Sequence, residues 1–76
     1  MKRVEDLTGE EVHAELRRLR AALADAEDMH LFTFGKTTAH IGAETAQRMQ
    51  EEYEQERADL LARIEALERR LRSLAG

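Results

Sequence analysis

The sequence predicts a mainly α-helical protein: an antiparallel, coiled-coil-like helical hairpin with a short β-hairpin or a tight turn at its tip, in α-β-β-α order, and assembled as an oligomer. Two arms rich in Ala, Leu, Glu and Arg carry apolar residues at alternating spacings of three and four, the pattern of a heptad seam. Pro is absent, which fits long uninterrupted helices. Between the arms, the stretch at 31–43 contains both Phe residues.

We expect a single domain over residues 1–76, with helix one at about 9–30, the tip at 31–43 and helix two at about 44–75. A chain this short forms only a marginal core by itself. Cys is absent, so neither a disulfide nor a thiolate metal site can reinforce the fold. Self-association, or binding to a partner, is therefore the expected source of further stability.

The first helix has a defined start in the segment LTGEEV. Thr8 and Glu11 have the spacing of a capping box, and Leu7 and Val12 have the spacing of a hydrophobic staple around it. The seam then follows in steps of four and three: Val12, Leu16, Leu19, Leu23, Ala26, His30. This pattern predicts a helix that begins at residue 9 and continues to about residue 30.

The second helix carries a longer apolar stripe: Ala46, Met49, Tyr53, Leu60, Ile64, Leu67, Leu71, Leu74. Arg57 interrupts this stripe. We favour the interpretation that its charged head extends out of the seam into water. The alternative is that Arg57 sets the register of the hairpin by pairing with a Glu of the first arm.

The two predicted arms differ in length, at roughly 33 Å and roughly 48 Å. Folding them antiparallel about the tip places Leu23 opposite Tyr53, and Leu16 opposite Leu60. The last third of helix two then has no full partner within the chain, and an exposed leucine seam of that kind marks an interface. We therefore predict self-association through three leucines: Leu67, Leu71, Leu74.

Two structures are compatible with the tip sequence LFTFGKTTAHIG. In one, LFTF and TTAHI are short strands joined by a type II′ turn at Gly35-Lys36. In the other, helix one continues to Phe34 and Gly35 closes it, giving a plain αα-hairpin. We favour the β-hairpin, because Phe and Thr alternate and because Gly42 inside a helix would cost about 1 kcal/mol relative to Ala.

The most suitable partner-binding residues lie in this tip: Phe32, Phe34, Lys36, His40. Aromatic anchors contribute a large share of binding energy at interfaces, although packing of both Phe side chains in a core is the competing interpretation. No arrangement of nucleophile, base and pocket is apparent, so we expect no enzyme activity and no cofactor. The predicted function is a protein-protein interaction or assembly module that binds itself and another protein, as a structural component or adaptor.

The net charge is −4, which does not favour a nucleic-acid binder, and no apolar run is long enough to span a membrane. With no signal peptide at its start, we expect the chain in the cytoplasm. One alternative is a regulator of transcription machinery or nucleic acid that uses Lys36 and its Arg-rich ends. Another is a metal-binding helical oligomer built from His30, His40 and Glu44.

The helical layout is similar to the N-terminal coiled-coil hairpin of Gre-type transcription factors, on Leu7-Thr8 and the segment RIEALERRL at 63–71. That resemblance implies a hairpin whose tip enters RNA polymerase. Those factors carry an acidic pair at the tip for a catalytic metal, whereas Glu44 is the only acid near this tip. The resemblance therefore does not imply transcript cleavage.

Overall fold

The computed structural model describes residues 3–37 and 42–76, with side chains over 3–32 and 42–76. A 3₁₀ turn at Val4–Asp6 is followed by helix α1, Gly9–Thr37, and helix α2, Ala43–Ala75. The helices pack against each other as a hairpin, and ion pairs between them show that they are antiparallel. We call the end where α1 finishes and α2 begins the tip, and the opposite end the base.

The predicted capping box is confirmed at the start of α1. The Thr8 backbone N–H donates a hydrogen bond to Glu11 Oε1 at 3.0 Å, and the Glu11 N–H donates to Thr8 Oγ1 at 3.3 Å. Val12 is fully buried, and Leu7 packs against the core that contains it, as the hydrophobic staple requires. The first turn of α1 is thus fixed to the core by both polar and apolar contacts.

The core of the described chain lies toward the base. Five side chains are buried: Val12, Leu16, Leu19, Ile64, Leu67. Partly buried side chains pack around them: Val4, Leu7, Leu23, Leu60, Leu71. Every member of the seam predicted for α1 up to Leu23 is in this cluster, so the heptad pattern identified the inward face correctly.

The predicted β-hairpin is wrong for the residues that the structure describes, because α1 continues to Thr37 through the whole LFTF segment and the Gly35-Lys36 turn. The remainder of the second predicted strand, 38–41, lies outside the described residues. A two-stranded ribbon is marginal by itself, whereas each residue added to an existing helix gains a backbone hydrogen bond. That gain outweighs the cost of Gly35, which is about 1 kcal/mol relative to Ala.

Gly42 does not lie inside a helix. It precedes Ala43 with an extended backbone, at φ −68° and ψ 161°, and its carbonyl oxygen accepts the Ala46 N–H at 3.0 Å. The expected penalty of a glycine within the second helix therefore does not arise. Gly42 instead marks the point where α2 begins.

The register of the hairpin differs from the predicted one by one heptad. Tyr53 lies against His30 rather than Leu23, a difference of seven residues, and α1 ends seven residues beyond the predicted end near residue 30. Farther toward the base, Arg20 Nη2 lies 3.3 Å from Glu68 Oε2. Because α1 is seven residues longer than predicted, each residue of α2 faces an α1 residue seven positions later than the predicted one.

Arg57 pairs with a Glu of the first arm, which is the interpretation that we did not favour. Its Nε lies 3.6 Å from Glu27 Oε1, and both side chains are about half exposed. An ion pair this exposed contributes little to stability. The Glu27–Arg57 pair nevertheless agrees with the observed register, because the predicted register would place Arg57 near Leu19 instead.

Candidate interaction surfaces

The tip end of α1 exposes two adjacent large apolar side chains, which we call the tip patch: Leu31 and Phe32. Their side chains are 70% and 60% exposed. They follow His30 directly, whose ring stacks on Tyr53 with ring centroids 3.8 Å apart and planes inclined by 8°. The stack holds α1 against α2 at the point where the tip patch begins.

The structure places the other predicted tip residues less completely. Phe34 and Lys36 lie within α1, while the placement of their side chains falls outside the described residues, as does His40 altogether. Of the four predicted binding residues, Phe32 is the one whose side chain lies within the described residues, and it is exposed. It projects from a helix rather than from a ribbon.

The three leucines predicted to form a self-association seam have different positions. Leu67 is only 4% exposed and belongs to the core between α1 and α2, and Leu71 packs against that core. Leu74 is 44% exposed. The premise of an uncovered leucine seam fails for Leu67 and Leu71, because the shifted register brings the base end of α1 and the 3₁₀ turn over them.

One side of the hairpin is crossed by two ion pairs, and we call it the bridged face: Arg20–Glu68 and Glu27–Arg57. Residues two apart on an α-helix project about 200° from each other. Ala22 and Ala66 therefore project away from the bridged face. Short side chains at these positions leave the opposite side of the seam open.

That opposite side forms an open groove between the two helices. Toward the tip it is lined by small, apolar and aromatic side chains: Ala22, Ala26, Met29, Met49, Tyr53. Toward the base it is lined by apolar side chains that continue from the core: Val4, Leu7, Leu19, Ala62, Ala66, Leu67. Met29, at 64% exposed, is the most accessible large apolar side chain among the described residues that line the groove.

Charged residues divide the groove into two halves. Among the described residues that line it, the half nearer the tip has no Lys or Arg and has three carboxylates: Asp25, Glu52, Glu56. The half nearer the base carries two acids and two bases: Glu11, Glu15, Arg18, Arg63. Negative charge is thus concentrated at one end of the groove, and its arginines at the other.

Three of the four charged side chains in the base half, those other than Arg63, have partners close to them in the sequence. Glu11 belongs to the capping box, and Arg18 Nη2 donates to Glu15 Oε2 at 2.7 Å. The Arg18 hydrogen bonds hold the pKa of Glu15 below its usual value. Arg63 forms no hydrogen bond or ion pair within the part of the chain described, so its guanidinium is available to an acidic group from outside.

The spacing Glu-x-x-His, which can supply metal ligands in helical bundles, occurs twice in α1, at Glu10 with His13 and at Glu27 with His30, too far apart along the helix to share a site. Glu27 pairs with Arg57 and His30 stacks on Tyr53, so the second pair serves the contact between the helices. Among the described side chains, no group of three or more His, Cys, Asp and Glu is placed to hold a metal ion. Within the same residues, no helix is both long and apolar enough to cross a membrane.

Two C-terminal arginines considered for nucleic-acid contact point toward acceptors of the same chain. Arg69 Nη2 donates to Glu65 Oε1 at 2.7 Å, and this hydrogen bond lowers the pKa of Glu65. Arg70 donates from Nε and Nη2 to the Leu7 backbone oxygen, at 3.2 and 3.1 Å. The second contact attaches the segment before α1 to the base of α2.

The groove was missed by sequence reasoning. Its signal was the recurrence of Ala in and beside the apolar seam, with Ala26 in the seam of α1, Ala22 beside it, and Ala62 and Ala66 beside the seam of α2. That signal becomes specific only once the register is known, because an alanine flanking a seam can face either side.

No protein-family model, curated protein or solved structure gives a significant match to this chain.

Proposed function

We propose that this protein is a small non-enzymatic interaction module that presents the tip patch to another protein, as a structural component or an adaptor. The observation that carries the proposal is the exposure of Leu31 and Phe32, at 70% and 60%, at the end of the hairpin away from the core. Isolated exposed apolar residues are ordinary, but two adjacent large ones are more typical of a contact site.

The tip patch is held in place before any partner arrives. Helix α1 continues through both residues to Thr37, and the His30–Tyr53 stack fixes the preceding residue to α2. A binding group that is already ordered loses less conformational entropy on association. The long helices therefore act as a support for the patch, while the core that stabilises them lies at the base.

The shape of the patch indicates what a partner must offer. Adjacent residues on an α-helix project about 100° apart, so Leu31 and Phe32 cover a broad part of the helix circumference. A flat surface would bury only one of them well. A partner protein with an apolar groove that receives one end of a helix would bury both, with Phe32 as the anchor.

Site-specific photocrosslinking tests this proposal. A benzophenone amino acid is placed at Phe32, and in a control protein at Ala58, an exposed position near the middle of α2. We expect the Phe32 probe to give a discrete adduct with one protein in extracts of the source cell, and the Ala58 probe to give none. Excess unlabelled wild-type protein should abolish the adduct.

The competitor also provides the decisive control. A Leu31→Ser/Phe32→Ser variant whose helical circular dichroism matches the wild type should fail to compete. Equal adducts from Phe32 and Ala58, or equal competition by the serine variant, would overturn the assignment of the tip patch as the binding surface.

A further inference from the structure

We infer that the groove binds a second copy of this chain, and that the two copies pack face to face in antiparallel orientation, with the base half of each on the tip half of the other. The inference goes beyond the proposed function, because Leu31 and Phe32 are not among the residues that line the groove. The tip patch could bind its partner whether or not the chain dimerises.

The first argument concerns the size of the core. Five buried side chains in the described residues are few for a chain of 76 residues, and two helices bury only one side of each. A second helical pair on the groove would complete a four-helix arrangement, the common solution for amphipathic helices of this length. The molecule measures 51 by 22 Å in its two longest dimensions. A face of that size can bury the roughly 800 Å² per partner of a stable interface.

The second argument concerns which face can be approached closely. On the bridged face, four long charged side chains lie over the seam and hold a neighbouring helix at a distance. On the groove side, alanines let another backbone approach, and apolar atoms of Leu7, Leu19 and Leu67 lie at the bottom. The exposed Met29 would also be covered there.

The third argument identifies the occupant and its orientation. A parallel pair of copies would place Asp25, Glu52 and Glu56 of one chain on the same three carboxylates of the other, and like charges in contact are unfavourable. An antiparallel pair instead places these acids on the base half of the other chain, where two acids and two arginines balance and where Arg63 forms no ion pair among the described residues. The arrangement is self-complementary and uses each contact twice, as a two-fold axis requires.

Sedimentation equilibrium provides the first test. We expect the wild-type protein to be a dimer at micromolar concentration, with a melting temperature that rises with protein concentration. Ala62→Glu places a carboxylate in the groove and should raise the dissociation constant of the dimer by about tenfold or more. Ala24→Glu, at an exposed position that projects about 200° around α1 from the groove residue Ala22, should leave it within about twofold.

Charge reversal tests the orientation. Glu56→Arg and Arg63→Glu should each weaken the dimer, since each places like charges together in the antiparallel arrangement. The double variant Glu56→Arg/Arg63→Glu should recover most of the wild-type affinity, and added salt should reduce the differences among the three. Both residues are exposed on α2, so the fold should persist in each variant.

A monomeric wild-type protein, or equal effects of Ala62→Glu and Ala24→Glu in proteins of normal helical content, would overturn the groove as a dimer interface. A double charge-reversed variant weaker than both single variants would overturn the antiparallel orientation. Neither result bears on the tip patch, whose crosslinking test reports on a different surface.

Discussion

His30 and Tyr53 stack across the hairpin, with ring centroids 3.8 Å apart and planes inclined by 8°. This contact lies between the core at the base and the exposed Leu31 that follows on α1. It is the described aromatic contact that fixes the register toward the tip. The behaviour of the tip half of the hairpin should therefore depend on Tyr53.

Replacing Tyr53 tests the role of the stack. Tyr53→Ala should lower the free energy of unfolding by about 1–2 kcal/mol, because it removes both the ring contact and partly buried apolar area. Tyr53→Phe keeps a ring in the same place and should change it by less than about 0.5 kcal/mol. Urea denaturation followed by circular dichroism measures both. Equal losses would assign the effect to the hydroxyl group instead.

The capping box at the start of α1 gives a second prediction. Thr8→Ala removes the oxygen that accepts the Glu11 N–H, and should lower the free energy of unfolding by about 1 kcal/mol. Thr8→Ser retains a hydroxyl at the same position and is the matched control. Thermal denaturation of the two variants should separate them, and a serine variant as unstable as the alanine variant would contradict a capping role.

The observed register predicts different roles for two leucines of α2. Leu67 is 4% exposed, so Leu67→Ala should destabilise the fold by about 2–5 kcal/mol. Leu74 is 44% exposed, so Leu74→Ala should cost less than about 1 kcal/mol. Denaturation at several protein concentrations makes the comparison. Equal, concentration-dependent losses would restore the leucine seam as a site of self-association.

The lowered pKa values of Glu15 and Glu65 predict a small loss of stability in acid. Hydrogen bonds from Arg18 and Arg69 favour the charged carboxylates in the folded state, whereas the unfolded chain has the usual pKa of 4.5. Their stabilising effect is complete above that value and disappears as the pH falls through the folded pKa. Glu15→Gln/Glu65→Gln should therefore lose less stability than wild type between about pH 6 and about pH 3. Urea denaturation at both pH values tests this, and identical losses would show that the two pairs do not act in the folded state.

The beginning of α1 and the extent of α2 could be predicted from the sequence, because each depends on local signals. Thr8 and Glu11 lie three residues apart and form their contact regardless of the rest of the fold. From Leu60 onward the apolar stripe of α2 continues at heptad spacing almost to Ala75. Signals of this kind can be identified in the sequence without knowing how the two helices pack.

The tip and the register could not be predicted in the same way. A seam that repeats every seven residues presents the same face after a slip of one heptad, so Leu23 and His30 are equivalent choices for the position against Tyr53. The choice depends on where α1 ends, and Phe32 and Thr33 favour strands by propensity alone. Continuation of an established helix outweighed that preference. The groove could not be predicted either, because the register decides which alanines of the two helices lie on the same side.

Because the core lies at the base, residues can be inserted near the tip without altering the core. Inserting seven residues into each arm near the tip would lengthen the hairpin by roughly 10 Å and return the same face to the seam. The buried cluster around Val12 and Ile64 would be untouched, since it lies at the other end. The distance between the buried core and the exposed Leu31 and Phe32 is therefore adjustable in whole heptads without any change to the residues of that core.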